Sequence, residues 1–277
     1  QFAWKVLGAV LAAKGNESQA LNANQSAVAL APHDASAHSN LGNTLKDLGR
    51  LEDAEASYKE AIALSPAFAE AHINLGATLQ EMGRLGEAEV SLRQAIALAP
   101  DYAEAHNNLG ITLQEVERLA ESEISYRRAI TLRPDFSDAH KNLGVLLQSL
   151  GRVSEAEASF HRAMALNPED ANARYQRLLC LFAQNKKSIL LDELDDAINR
   201  GKANAVIGSL TNRSALKFGV EKPNLFCTKP LTYVLHIDLN TQYDFEEVFV
   251  KKANTILNDN RISRKRQTLL TNGFQTS

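Results

Sequence analysis

The sequence has few cysteines, few aromatic residues and no long apolar run. Cys180 and Cys227 lie far apart and in no paired motif, which indicates neither a disulfide framework nor a cysteine metal site and favours a reduced, cytoplasmic setting. Aromatic residues make up only 6% of the 277 residues, so alanine and leucine supply most of the apolar surface, which favours closely packed helices. No apolar run approaches the ~20 residues of a membrane span, and a formal net charge of -3 argues against nucleic acid or an anionic membrane as a partner.

What the sequence does contain is an internal repeat. Five rows of equal length align without an insertion, with the boundaries 1–34, 35–68, 69–102, 103–136 and 137–170. One column consists of glycine: Gly8, Gly42, Gly76, Gly110 and Gly144. Another consists of proline: Pro32, Pro66, Pro100, Pro134 and Pro168. Five gapless rows of this kind indicate a stack of similar structural units.

Each row has the pattern of two helices. In the second row, Leu41, Gly42 and Leu45 fall on one face at the helical period, and Tyr58 and Ala61 do so again after a break. The small residues among them allow the two helices to approach closely. The proline at the end of the row stops the second helix. The sequence therefore predicts five antiparallel helical hairpins.

The turn inside each hairpin is marked by glycine in four of the five rows. Gly15, Gly49, Gly83 and Gly151 stand where the first helix ends, a position that favours a left-handed backbone. The fourth row has Glu117 instead, which costs on the order of 1 kcal/mol if the left-handed geometry is kept. We therefore expect the fourth hairpin to be the least stable of the five.

The columns that begin with Trp4, Leu7, Gly8, Ala20 and Pro32 resemble the tetratricopeptide repeat family over residues 1–170. The resemblance implies an α-helical solenoid that winds into a right-handed superhelix with a concave groove, and it implies binding of a polypeptide rather than catalysis. The first column departs from the family, because tryptophan is followed by histidine in the next four rows: His38, His72, His106 and His140. Successive histidines one hairpin apart are roughly 10 Å from each other, too far to share an ion. We interpret them as half-buried packing residues and expect no metal and no cofactor.

A column of asparagines points away from the packed face of the first helices. With about 100° per residue, Asn40 lies well off the face of Leu41 and Leu45, and the next rows repeat it as Asn74, Asn108 and Asn142. A side-chain amide has both donors and an acceptor, so such a column is suited to grip the backbone of an extended peptide. The alternative is that these amides bond only to neighbouring helices or water. The other residues that we predict in the groove are Asn43, Asp47, Gln80, Gln114 and Gln148.

The asparagine column resembles the ladder in the superhelix of O-linked N-acetylglucosamine transferases. That resemblance implies a grip on substrate polypeptides and suggests, as one alternative, the substrate-binding region of a glycosyltransferase. Acidic residues in the same helices, Glu70, Glu104 and Asp138, favour a neutral or basic segment as the partner. Self-association through the terminal hairpins is a further expectation. The arginines that follow the turns, Arg50, Arg84, Arg118 and Arg152, are interpreted as favourable charge near helix C-termini.

After about residue 185 the repeat pattern is no longer visible. Residues 171–200 are predicted as capping helices that cover the last hairpin, and residues 201–277 as a small, incomplete α+β domain. In the latter we expect an irregular stretch with a short helix, then a strand over Leu231–Leu239 and a helix over Asp244–Leu257. The strand and the closing residues 270–277 resemble the start of a 2-oxoglutarate/Fe(II) oxygenase domain. The chain ends before that family's iron ligands, so no catalytic residue is assigned.

The sequence thus predicts a mainly α protein with five repeat hairpins and capping helices, followed by a short α+β segment. The favoured function is a scaffold that holds an extended polypeptide in its concave groove and is itself no enzyme. The alternatives are the targeting region of an oxygenase whose catalytic core is absent from this chain, and the glycosyltransferase region named above.

Overall fold

The structure, a computed structural model, describes residues 2–200 and 205–220, and every regular element in these ranges is a helix. In chain order the helices are α1 (Phe2–Ala13), α2 (Glu17–Leu30), α3 (Ala35–Asp47), α4 (Leu51–Leu64), α5 (Ala69–Glu81), α6 (Leu85–Leu98), α7 (Ala103–Glu115), α8 (Leu119–Leu132), α9 (Ser137–Ser149), α10 (Val153–Leu166), α11 (Ala171–Ala183), α12 (Lys187–Asn199) and α13 (Ala205–Phe218). Along the described chain, no helix is both long enough and apolar enough to cross a membrane.

The helices form the predicted stack of antiparallel hairpins. Each odd-numbered helix up to α9 packs along the even-numbered helix that follows it, and each even-numbered helix packs against the next hairpin. The turns inside the hairpins are left-handed, with φ of 72° at Gly49, 73° at Gly83 and 74° at Gly151. The all-helical hairpin architecture predicted for residues 1–170 is confirmed.

Glu117 adopts the left-handed turn that its row requires. Its φ is 61°, close to the values at the equivalent glycines, and the flanking helices α7 and α8 have the same bounds relative to the repeat as their neighbours. The packing of the two helices therefore imposes the turn on a residue that disfavours it. The conformational cost at Glu117 is kept in the native structure.

The glycine column exists because a large side chain of the second helix lies against it. A Cβ atom added to Gly42 would stand 2.6 Å from the Tyr58 ring, and one added to Gly110 would stand 2.6 Å from the Tyr126 ring. Tyr58 and Tyr126 are fully buried. The two helices of a hairpin thus pack at a distance that only a glycine at this point permits.

The arginines after the turns join the second helices of successive hairpins. Arg118 pairs with Glu121 on its own helix and with Glu89 on the preceding second helix, at 2.6 Å and 2.7 Å. Arg84 and Arg152 repeat this arrangement. We expected these arginines to stabilise helix C-termini, and instead they lie at the N-terminal ends of second helices and bridge two carboxylates. Pairs of this kind extend along α4, α6, α8 and α10.

The repeat spacing continues beyond the fifth row, contrary to the expectation that it ends near residue 185. Helix α11 begins as far along the chain from α9 as α9 begins from α7, and the same offset separates α12 from α10 and α13 from α11. Asn185 takes the left-handed turn with φ of 58°, and Gly219 ends α13 with φ of 60°. Residues 171–199, predicted as capping helices, therefore follow the spacing of a further hairpin, and α13 is a 14-residue helix in the stretch for which we expected irregular structure with a short helix.

The sixth hairpin is recognisable in structure but not in residue types. Leu178 occupies the glycine column, and α11 and α12 are correspondingly less closely packed than the helices of the earlier hairpins. Arg177 occupies a leucine column and is buried between Glu157, at 2.8 Å, and Glu193. Because of these two residues the repeat pattern is not visible in the sequence of the sixth hairpin, although its helices keep the repeat spacing. The predicted strand over 231–239, the helix over 244–257 and the oxygenase resemblance lie outside the described residues.

Candidate functional site

The first helices of the hairpins line one side of the stack. Each of α1, α3, α5, α7 and α9 contacts the next first helix along the chain, whereas consecutive second helices do not come into comparable contact within the described residues. A layer whose members approach more closely lies on the inner side of a curved stack. The predicted groove residues all belong to this inner layer of first helices.

The four predicted ladder residues recur at one place in successive first helices. Asn40, Asn74, Asn108 and Asn142 lie on α3, α5, α7 and α9, five residues after the start of each helix. Their side chains are half-buried rather than fully exposed. The repeat therefore presents one amide per hairpin at the surface that the first helices line.

Two of these amides bond across the junctions between hairpins. The Nδ2 group of Asn74 donates to Oδ1 of Asn43 at 3.0 Å, and that oxygen also accepts the Tyr58 hydroxyl at 2.7 Å. The Nδ2 group of Asn142 donates to Oδ1 of Asn107 at 3.0 Å. The amides thus help to hold neighbouring hairpins together, which is one of the two roles the sequence allowed.

The bonds to neighbouring helices leave part of the amide chemistry free. An asparagine side chain has two N–H donors and one carbonyl acceptor. Asn74 and Asn142 each donate only once to the described residues, so a second N–H and the carbonyl oxygen remain. The Asn40 side chain makes no hydrogen bond to the described residues, and the oxygen of Asn108 accepts a long bond of 3.4 Å from Asn107. Three of the four amides retain a donor and an acceptor.

Asn107 is a functional candidate that the sequence analysis missed. It is buried, it precedes the ladder residue Asn108, and its side chain links that residue to Asn142 on the next hairpin. Its column is otherwise mixed, with Ser39 and Ile73 in the preceding rows, so no repetition marked it. Its position next to a ladder residue was the available signal.

The glutamine column is used unevenly. The Nε2 group of Gln80 donates to the backbone carbonyl of Asn108 at 3.1 Å and so joins α5 to α7. The hydroxyl of Tyr126 donates to Oε1 of Gln114 at 3.1 Å. Burial raises the pKa of the Tyr126 phenol, so the hydroxyl keeps its proton and remains a donor. The Gln148 side chain makes no hydrogen bond to the described residues, so its amide retains both donors and its acceptor.

Some acidic residues of the layer are compensated and others are not. Asp138 pairs with Lys141 at 2.8 Å, and Glu104 pairs with Arg133. Asp47 on α3 and Glu70 on α5 are exposed and form no ion pair with the described residues. Exposed carboxylates without an ion partner among the described residues therefore lie on α3 and α5, and Glu115 adds one on α7.

The histidine column has a structural role, as we interpreted it. The Nε2 atoms of His38, His72, His106 and His140 lie 2.9–3.3 Å from the carbonyl oxygens of the prolines six residues earlier. A carbonyl only accepts, so each ring donates from Nε2. Arg174 makes the same kind of contact to Pro168 in the next row. The part of the chain that is described contains no group of histidine, cysteine and carboxylate side chains suited to hold a metal ion.

Comparison with known families identifies the repeat. Family models described as "TPR repeat" and "Tetratricopeptide repeat" match residues 42–83 and 67–135, and a third, also described as "Tetratricopeptide repeat", matches residues 137–170. No curated protein sequence matches the chain.

Several solved structures share the fold. The crystal structure of MamA is 27% identical with a TM-score of 0.51, covering 60% of this chain and 96% of that chain. TTC0263, a thermophilic TPR protein of Thermus thermophilus, is 25% identical with a TM-score of 0.57, covering 65% and 98%. YrrB, a TPR protein with an unusual peptide-binding site, is 22% identical with a TM-score of 0.53, covering 68% and 97%.

Proposed function

Because the chain belongs to the tetratricopeptide repeat family and is a protein-interaction scaffold, we propose that its first helices hold an extended segment of a partner protein. The observation that carries this proposal is the amide column at Asn40, Asn74, Asn108 and Asn142, three members of which retain both a donor and an acceptor. A pair of this kind matches the N–H and C=O of one peptide unit, whatever its side chain. The oxygenase alternative rests on residues outside the described ranges, and the glycosyltransferase alternative rests only on the resemblance of this amide column.

The spacing of the amides fits an extended chain. Neighbouring first helices are separated by roughly 10 Å, and an extended chain advances about 3.3–3.6 Å per residue. Each amide therefore meets about every third residue of the bound segment, and four amides span roughly ten residues. An extended segment keeps its backbone groups unpaired, so it has the hydrogen-bonding capacity that the amides need.

The charge of the groove sets the preferred composition of the segment. Asp47 and Glu70 are exposed and uncompensated within the described residues, whereas Lys46 is engaged with Glu81 at 3.6 Å. A neutral or basic segment is therefore favoured over an acidic one.

The proposal is tested by fluorescence titration of labelled peptides selected from an array, with the wild-type chain beside a triple variant. The variant replaces three ladder residues: Asn74→Ala, Asn108→Ala and Asn142→Ala. We expect it to lose at least tenfold in affinity, since each lost charge-neutral hydrogen bond contributes about 1 kcal/mol. Equal affinity of both proteins would place the binding surface elsewhere and overturn the proposal.

A matched control separates the groove from general effects of mutation. It carries three alanines at exposed positions of the second helices: Glu60→Ala, Gln94→Ala and Arg128→Ala. It is expected to bind like the wild type. The triple asparagine variant also loses the bonds to Asn43 and Asn107, so the helical melt of every variant is recorded and binding is compared well below the lowest midpoint.

A further inference from the structure

A second concave surface lies outside the first-helix layer. A cleft of about 420 Å³ opens between α8 and α10, with α9 contributing part of its lining. Its apolar lining consists of Ile130, Leu143 and Ala158, and two arginines, Arg127 and Arg162, stand beside them. None of the nine residues predicted for the groove lines this cleft. It is therefore a separate surface that the proposed function does not use.

One of the residues that line the cleft, Ala158, has a short side chain. Ala158 occupies a column in which the two preceding hairpins have Val90 and Ile124. Those two side chains are 71% and 68% exposed, so a larger aliphatic residue in this column projects outward and does not belong to the core. At position 158 the side chain ends at Cβ. The column also shows that a larger residue is compatible with the fold.

The hydrogen-bond donors that the cleft offers to a ligand are the guanidinium groups, because its other donors are already engaged. The hydroxyls of Thr131 and Ser159 donate to backbone carbonyls of their own helices, at 2.8 Å and 3.0 Å. His140 is engaged with the carbonyl of Pro134 at 3.1 Å. Burial lowers the pKa of His140 and the charge of Arg162 adds to this effect, so the imidazole is neutral at pH 7. A ligand that bonds here must therefore bring acceptors for an arginine.

The two arginines are not equivalent. Arg127 is engaged by Glu123 at 2.7 Å and by Glu155 at 3.5 Å. The Arg162 side chain is exposed, and its guanidinium forms no hydrogen bond or ion pair with the described residues. The positive charge available at the edge of the cleft is that of Arg162. Its complement is a carboxylate.

We propose that this cleft is a second binding site, which takes an acidic segment of a partner protein. The segment places an aliphatic side chain against Ile130 and Ala158 and an adjacent carboxylate against Arg162. The apolar lining and the uncompensated guanidinium together define this occupant, since neither a basic nor a purely polar segment satisfies both. The charge preference is opposite to that of the first-helix groove, so one chain is able to hold two different segments.

The test uses the full chain labelled with 15N and three capped tripeptides, Asp-Leu-Asp, Asn-Leu-Asn and Asp-Ser-Asp. Amide chemical shifts are followed up to millimolar peptide concentration. We expect saturable shifts at Ala158 and Ser159 with Asp-Leu-Asp and at least fivefold weaker binding of the other two, because each lacks one of the two complementary groups. Equal binding of all three peptides, shifts centred on the asparagine column, or no saturable shift with any peptide would each overturn the proposal.

Three variants locate the contacts. Arg162→Ala is expected to weaken binding of Asp-Leu-Asp about tenfold, the factor for losing one charge-assisted hydrogen bond. Arg128→Ala, at the equivalent position one hairpin earlier, is the matched control and leaves the affinity unchanged. Ala158→Ile places the larger side chain of the preceding hairpin at the lining of the cleft and is expected to weaken binding of Asp-Leu-Asp at least fivefold, with an unchanged helical melt. Equal losses in the two arginine variants, or full binding by Ala158→Ile, would contradict the proposed site.

Discussion

Replacing Glu117 by glycine is expected to stabilise the protein, although it removes a side chain. Glu117 holds a left-handed backbone with φ of 61° at a point where the equivalent turns have Gly83 and Gly151. A Cβ atom added to either of those glycines would meet no atom within 4 Å. The penalty at this position is therefore torsional and not steric, and it is confined to a single residue.

The size of the effect follows from two opposing contributions. The left-handed conformation costs a non-glycine residue about 1–2 kcal/mol. Glycine gives back about 0.5–1 kcal/mol, because it has more conformational freedom in the unfolded chain. Glu117→Gly is therefore expected to raise the free energy of unfolding by about 0.5–1 kcal/mol.

The assay is native-state hydrogen exchange together with guanidinium unfolding, because a repeat array need not unfold in one step. In the wild-type chain, amides of α7 and α8 are expected to be less protected than those of α5, α6, α9 and α10. In Glu117→Gly that difference decreases. Equal protection of the three hairpins in the wild type would refute the reasoning.

Two controls separate backbone conformation from charge. Glu117→Ala removes the carboxylate but keeps a Cβ, so it is expected to gain little stability. Gly83→Glu creates the same defect in the preceding hairpin and is expected to lose what Glu117→Gly gains. If Glu117→Ala stabilised the chain as much as Glu117→Gly, repulsion from nearby carboxylates would be the cause and the torsional account would be wrong.

Three further predictions follow from the packing and the charges. Gly110→Ala places a methyl group against the ring of Tyr126. It is expected to lower the free energy of unfolding by about 1–2 kcal/mol, which is the cost of overpacking less the gain in helix propensity. An unchanged urea midpoint would mean that α7 and α8 move apart without cost. Asn185→Gly should stabilise less than the substitution at the fourth turn, since asparagine tolerates the left-handed region better than glutamate, and thermal melts of the two variants compare them. Burial favours a raised pKa for Asp34, but hydrogen bonds from Lys5 and Ser36 lower that pKa to about 2. The ionised carboxylate therefore stabilises the fold above its unfolded pKa, and this stability is lost as pH falls from about 4 toward 2. In Lys5→Met the melting temperature should fall less steeply over that range, and identical slopes in the two proteins would contradict the pairing.

The candidate groove shows how far residue type alone predicts a site. The four asparagines were found because they repeat, and repetition is visible in one dimension. Their hydrogen bonds could not be predicted in the same way, because the partner of Asn74 lies 31 residues earlier in the chain and that of Asn142 lies 35 residues earlier. Two amides face each other across the junction between hairpins. The rotation of the adjacent helices about their axes decides which of the two accepts the hydrogen bond. Asn107 was missed because its column does not repeat, and only the packing of α7 against α9 shows its bond to Asn142.

The sequence by itself determined the hairpin, the length of its rows and their repetition through residue 170. It did so because those features rest on contacts inside one repeat, above all the close approach of Gly42 to Tyr58, which fixes two residue types at once. Tertiary structure decided how far the stack extends. Arg177 and Leu178 do not have the residue types of the repeat, yet α11 and α12 keep its spacing, because α11 packs against α10 of the preceding hairpin and so continues the stack. A pattern read from residue types ends where the types change, whereas packing continues as long as each hairpin leaves an apolar face for the next.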